Sequence, residues 1–348
     1  MIRPLPAFAV PSDFAFTSVP SRFHTLELTV ASRALGEICF SRDTMPDGTV
    51  CNAAFLPEQR DSVLLGRAFI GNGYTALSTA DQFIYQPISK EFLQTLFQNQ
   101  NVTSVEAHIG LTFSSKHFSA GFSPYRVQYV SEIHNPNLPV IAIHASVERS
   151  FTLAGGIPLE MLDRSLGGFS FGTRARLLQR KYVHGSFSMF QAISDDPRAL
   201  LPTKSQTAVL LDPTLGWTSP KTLWKPRASL GLSNLGKTWP DDALFPISTD
   251  LTAGLGVEPP VKFGRFRVGL DLVNLLYAPD LLSRTRLGTS YQFGVVEIMA
   301  GMNAHSLSGG LEMGLQIIQV GIVYEFIRDD FGGTSPESRI STEIAIRL

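Results

Sequence analysis

Arg265–Leu272 reads RFRVGLDL. Arg265, Arg267, Gly269 and Asp271 fall on one side of an extended chain and Phe266, Val268, Leu270 and Leu272 on the other. A period of two kept without a miss is the mark of a strand with one polar and one apolar face. Residues 105–114 do the same, with Val105, Ala107, Ile109, Leu111 and Phe113 opposite Glu106, His108, Gly110, Thr112 and Ser114. Fourteen such segments can be laid along the chain, from residues 62–70 to residues 339–348. An even count suits an antiparallel single-chain barrel.

Composition narrows the setting. Of 348 residues 44% are apolar and 17% charged, with 29 basic side chains against 30 acidic ones. Low, balanced charge and ample apolar content exclude a disordered chain. With no basic run to neutralise phosphates, nucleic acid is excluded as a partner. A spanning helix needs about 20 consecutive apolar residues, and the longest apolar runs, 138–147 and 313–324, are short and interrupted. The remaining structure that satisfies its own backbone in lipid is a closed barrel. Residues 61–348 are therefore expected to form an all-β, 14-stranded antiparallel transmembrane β-barrel. Residues 1–60, which do not alternate, form a separate N-terminal segment. Short amphipathic helices are expected at residues 90–98 and around 186–193.

A soluble sandwich or barrel also alternates. Two features favour the membrane: only 8 of the 29 basic residues are Lys, and Trp217, Trp224, Trp239, Tyr277, Tyr291 and Tyr324 fall near strand ends, where interfacial girdles lie.

If the apolar face meets lipid, the other face lines the lumen. It holds Glu106, Glu148, Asp250, Glu258, Asp271, Glu297, Glu312, Glu325 and Glu343 beside Arg174, Arg176, Arg227, Arg265, Arg267, Arg284, Arg286, Arg339 and Arg347. Matched charge of this kind braces a wall through Arg–carboxylate pairs. Alternatively, some arginines line a track for a ligand's carboxylate or headgroup, and Arg174, Arg176, Arg265 and Arg267 are the candidates.

Gly231–Thr238 matches G-x-x-x-x-G-K-[ST], but Trp239-Pro240-Asp241-Asp242 is a poor helix opening, so a phosphate loop is not expected. Gly168–Gly172 matches G-x-S-x-G, yet Ser170 continues an alternation with Gly172, Arg174 and Arg176 rather than turning sharply into a helix. A lipid hydrolase built on Ser170 would need a histidine; His144 and His184 lie on candidate strands, but spacing alone does not pair either with Ser170. The histidine spacing suggests no metal centre, no cofactor is indicated, and the chain is not read as an enzyme. Cys39 and Cys51, the two cysteines, bracket a turn-rich stretch. They suit a disulfide made in an oxidising compartment, two buried thiols being the other reading.

Ala31-Ser-Arg33-Ala-Leu-Gly36, followed by Asn52-Ala-Ala-Phe-Leu56, resembles the opening motif of the outer-membrane barrel superfamily of the FadL long-chain fatty-acid transporter and the PorV-type secretion accessory proteins. Ala228–Gly236, Arg286–Tyr291, Ala300–Asn303 and Leu307–Gly310 also resemble it. The resemblance implies a 14-stranded barrel with a luminal N-terminal hatch that contains Asn52. It departs from the pattern at Ala53, where proline is usual, and in the cysteine pair within the motif.

The expected function is binding or transport of lipids or other hydrophobic molecules across the bacterial outer membrane. The alternative is a plugged structural or accessory barrel that forms homo-oligomers and holds membrane lipid or a secretion partner. No secretory leader is visible in residues 1–10, so a removed leader is expected.

Overall fold

The computed structural model describes residues 29–42, 51–59, 62–71, 103–134, 140–163, 165, 167–188, 191, 200–219, 221–240, 247–277, 281–327 and 337–348. The helix expected at 90–98 lies outside these. Of the one expected around 186–193, residues 186–188 end a strand and most of the rest lies outside the described residues.

The strands are β1 (Val63–Gly71), β2 (Thr103–Ser114), β3 (Phe118–His134), β4 (Val140–Pro158), β5 (Phe169–Ser188), β6 (Thr203–Thr218) and β7 (Arg227–Ser233, resuming as Leu235–Trp239). They continue as β8 (Asp250–Val257), β9 (Arg265–Leu272), β10 (Thr285–Phe293), β11 (Val296–Met302), β12 (Ser306–Gly314), β13 (Ile318–Ile327) and β14 (Glu337–Arg347). The two halves of β7 form one strand around a bulge. Gly231 pairs with Thr214 but Leu235 with Leu211, and Asn234 between them is left-handed, with φ 59°.

Each strand pairs antiparallel with its sequence neighbours, and β1 pairs with β14 through Leu65↔Arg347 to Gly71↔Ser341. The sheet is a closed 14-strand antiparallel barrel. Leu64 and Leu348 complete the seam by exchanging N–H···O bonds of 3.2 and 2.9 Å. Short links join Ser114 to Phe118, Phe293 to Val296 and Gly314 to Ile318 at one end; the longest link, Gly71 to Thr103, lies at the other. In outer-membrane barrels the short turns face the periplasm and the long loops the outside.

Side-chain placement follows the alternation. On β14, Ile340, Ile344 and Ile346 are about half exposed, while Ser341, Glu343 and Ala345 between them are buried. On β2, Ile109, Leu111 and Phe113 face out and Glu106, His108 and Ser114 are buried. No described helix is long and apolar enough to cross a membrane. The barrel's apolar outer face is the lipid-facing surface.

β3, β4 and β5 have 17, 19 and 20 residues, well beyond the ~10 a spanning strand requires. Toward the long-loop end their two faces are both buried: Ile143, His144, Ala145 and Ser146 are all fully covered. Val105, Tyr129 and Val183 are buried there too, although their phase is outward. A register shift between Ser123 and Arg126 of β3, at Pro124, resets the alternation within that strand.

Placing Ile322→Arg at the middle of β13's lipid face should cost about 2–4 kcal/mol of barrel stability, read from urea unfolding in lipid vesicles. An unchanged midpoint would mean that this face does not meet hydrocarbon.

Candidate functional site

Inside the barrel residues 29–42 and 51–59 pack along the wall. Helix α1 (Val30–Ala34) begins at Thr29, whose hydroxyl accepts from the Ser32 N–H while the Ser32 hydroxyl accepts from the Thr29 N–H, a reciprocal cap. Its outer end would still leave N–H groups in a closed lumen, and the wall supplies an acceptor: the Val30 N–H donates to Glu343 at 3.2 Å. Arg33 pairs with Glu106 and, at 3.5 Å, with Glu325.

The turn that follows rests on a single carboxylate. Asp271, fully buried on β9, accepts from the N–H groups of Cys39 (2.6 Å), Phe40 (2.7 Å) and Ser41 (2.8 Å). Three backbone donors converging on one carboxylate form an anion nest turned to structural use. Ser229 donates to the Phe40 carbonyl at 2.7 Å, Arg42 reaches Glu297 at 3.2 Å, and Arg286 holds Glu37 at 3.2 Å. Cys39 and Cys51 form a disulfide. Asn52 then accepts from the Ala54 N–H at 3.0 Å and donates to the Phe40 carbonyl at 3.3 Å. It thereby opens a 3-10 turn, Ala53–Glu58, which packs on β4, β5 and β6.

Wall glycines admit this segment at van der Waals range. A β-carbon at Gly172 or Gly156 would strike the Ala53 backbone, and one at Gly301 would strike Leu35 and Gly36.

Between the inner segment and the remaining wall lies a cavity of about 230 Å³. Phe40, Leu178, Val273 and the disulfide give it an apolar side; Ser119, Ser150 and Thr152 bring hydroxyls, and Arg67, Arg174, Arg176 and Arg286 bring guanidinium groups. The sequence-read candidates thus separate. Arg174 and Arg176 line the cavity. Asn52 holds the turn beside it without lining it, Arg267 is buried near Glu297 at 3.8 Å, and Arg265 is exposed at the short-turn end.

All nine acids read as luminal are buried, but they are not spent only on the wall. Asp271 and Glu343 hold backbone of the inner segment, while Glu106, Glu297 and Glu325 each take an arginine from it as well as one from the wall. Arg67 on β1, which lines the cavity, escaped the sequence reading, and so did three further buried wall charges. Asp212 takes a bidentate Arg176 (2.8 and 2.9 Å) together with Arg174 (3.2 Å). Arg126 bridges Glu106 (2.9 Å) and Glu148 (3.3 Å), and Arg180 lies 3.8 Å from Glu148. The β3 register shift hid Arg126; for Asp212 and Arg180 the alternation of β6 and β5 was signal enough.

The two motifs are strand, not loop. Gly231–Thr238 runs along β7 as strand rather than as a loop that opens a helix. Ser170 and His184 lie on one extended strand, 14 residues apart, which is roughly 46 Å, and His184 faces His144 with Nδ1 atoms 3.2 Å apart. Ser170 is therefore not assembled with these histidines.

No family model and no curated protein matches the sequence. Among solved structures, the TodX deltaS2S3 mutant monoaromatic hydrocarbon channel superposes with a TM-score of 0.52 at 11% identity, covering 93% of this chain and 99% of that one. The barrel is FadL-like in fold. The Ralstonia pickettii toluene transporter TbuX is also similar, with a TM-score of 0.44 at 10% identity over 92% of this chain and 97% of that one. A closed FadL-like barrel with an apolar outer face is an architecture of the bacterial outer membrane.

Asp271→Asn replaces an acceptor for three N–H groups with an amide that brings donors of its own. Local opening of residues 39–41 should become easier by about 1–3 kcal/mol, measured by amide hydrogen exchange in the folded protein. Asp212→Asn, which touches none of those amides, should leave their protection unchanged.

Proposed function

We propose that this outer-membrane barrel binds a small amphipathic or hydrophobic molecule in its lumen and lets it pass, with residues 1–60 as plug and 61–348 as wall. The cavity carries this reading, because it sets an apolar side, Phe40, Leu178, Val273 and the disulfide, against Arg174 and Arg176. At about 230 Å³ it lies below the ~300–1,000 Å³ of drug-sized sites, so it takes a short molecule or one segment of a longer one. TodX and TbuX are named for a monoaromatic hydrocarbon and for toluene. Guanidinium groups favour instead a ligand whose apolar body ends in a carboxylate, which arginine holds bidentately. Asp212 holds both arginines in place through the bonds from Arg174 and Arg176.

A second reading, a permanently plugged barrel that serves only as a scaffold, draws support from the density of buried contacts between plug and wall. The disulfide adds to it by closing a loop of sequence separation 12 and restricting how far the plug can deform.

Titration of purified protein with octanoate should show saturable binding, and the double variant Arg174→Gln, Arg176→Gln should weaken it roughly 10- to 100-fold, as expected on losing charged hydrogen bonds. Absence of saturable binding by the unmodified protein would leave the scaffold reading standing. Passage is checked by uptake of labelled octanoate into cells that make the protein, with and without Cys39→Ser and Cys51→Ser.

A further inference from the structure

The outward positions of the fourteen strands are almost free of charge. Among the described strand residues, three charged side chains occupy that phase: Arg149 on β4, Lys181 on β5 and Lys237 on β7, all exposed. No carboxylate shares the outward face of β4 to β7 among the described residues. We propose that these three bases, with Trp239, form a recognition patch for a phosphate-bearing lipid headgroup in the leaflet on the long-loop side.

The sheet register fixes how they lie. Arg149, Gln179, Thr207 and Trp239 form one transverse row across four adjacent strands. The next row toward the short turns is Phe151, Leu177, Val209 and Lys237, and the next toward the long loops is Val147, Lys181 and Ser205. The outer wall therefore changes from apolar to polar within one row, and the bases sit at that line. With strands about 4.8 Å apart and same-face residues about 6.8 Å apart along a strand, the Arg149 and Lys181 backbones are roughly 8 Å apart diagonally. Side chains of that length converge on a single phosphate. Lys237 starts in the apolar row, and its ammonium lies 5.7 Å from the centre of the Trp239 ring. It bends out of the hydrocarbon toward the polar row, as long basic side chains do at membrane surfaces, beside a ring suited to the same depth.

Energetics favour a lipid over a soluble anion. A base on the lipid face costs about 2–4 kcal/mol at mid-membrane and about 0–1 near the interface, so three of them on neighbouring strands mark the headgroup level. Among the described strand residues the rest of the outward perimeter carries no charge, which makes the patch a directional site rather than a general belt. Phe151, Leu177 and Val209, exposed just below, offer acyl chains a surface that a free anion would leave uncovered. Anionic headgroups are recognised by such basic clusters beside apolar surface. In an outer membrane the lipid of this chemistry on the outward side is a phosphorylated glucosamine lipid.

The inference rests on the membrane-barrel reading and is independent of what the lumen carries. The test is native mass spectrometry of the full chain in detergent, titrated with bis-phosphorylated lipid A, with its dephosphorylated form and with inorganic phosphate. The triple variant Arg149→Gln, Lys181→Gln, Lys237→Gln is compared with a control, Lys221→Gln, Lys262→Gln, that removes bases beyond the short-turn ends of the strands. Retention of the phosphorylated lipid by the unmodified and control proteins, with affinity falling roughly 100-fold in the triple variant, supports the patch. Equal retention by the triple variant, or equal binding of the dephosphorylated lipid, overturns it. Competition by millimolar inorganic phosphate also overturns it, by showing a free-anion site. Flotation of each protein with phosphatidylethanolamine vesicles is measured in parallel. If the unmodified protein fails to insert, the membrane reading falls and takes the patch with it; normal insertion without lipid selectivity refutes the patch alone.

Discussion

Hydrocarbon offers a peptide group no partner, so a chain that crosses a membrane must satisfy every backbone N–H and C=O within itself. Strands can do this only if the sheet has no edge, which makes the β1–β14 seam the condition for everything else. Once the seam is closed, each side chain is assigned to lipid or to the lumen, and a change of phase by one residue would exchange the two. The absence of carboxylates from the described outward positions and their burial inside are two results of one constraint.

A lumen filled in this way is crowded with charge that has little water to share. The wall resolves part of this by pairing neighbours, as Arg176 does with Asp212. The inner segment resolves another part by bringing its own arginines, Arg33 and Arg42, and its own backbone donors. Asp271 shows how tightly the two are matched: a wall carboxylate takes hydrogen bonds from three successive peptide groups of the inner segment. Buried charges left alone would be costly, so the inner segment and the wall each depend on the other's polar groups.

The barrel was readable from the sequence because a strand with lipid on one side and polar groups on the other has nowhere to hide its alternation. Arg265–Leu272 needed no help. Reading failed where a bulge changed the phase, as at Pro124, beyond which Arg126 turns inward, and where strands β3 to β5 run past the membrane and are covered on both faces. Asn234 splits β7 by the same mechanism without changing the strand count. The inner segment shows no period at all, since its conformation comes from contacts made by the wall, residue by residue. That Arg174 and Arg176 face the cavity while Arg267 does not depends on the paths of residues 29–42 and 51–59. Alternation along β5 and β9 carries no information about those paths.

The meeting of the first strand with the last also dictates an order of events. Residues 29–42 and 51–59 precede β1, whereas the strand that closes the ring with it, Glu337–Arg347, follows the other thirteen. The cylinder cannot shut until the other thirteen strands have been made and aligned, and the inner segment must be in place, or be drawn in through an open end, when it does. The seam thus acts as the clasp of the ring, and an inner segment that is covalently upstream of the wall is enclosed once for every barrel, in fixed stoichiometry and without a separate recruitment step.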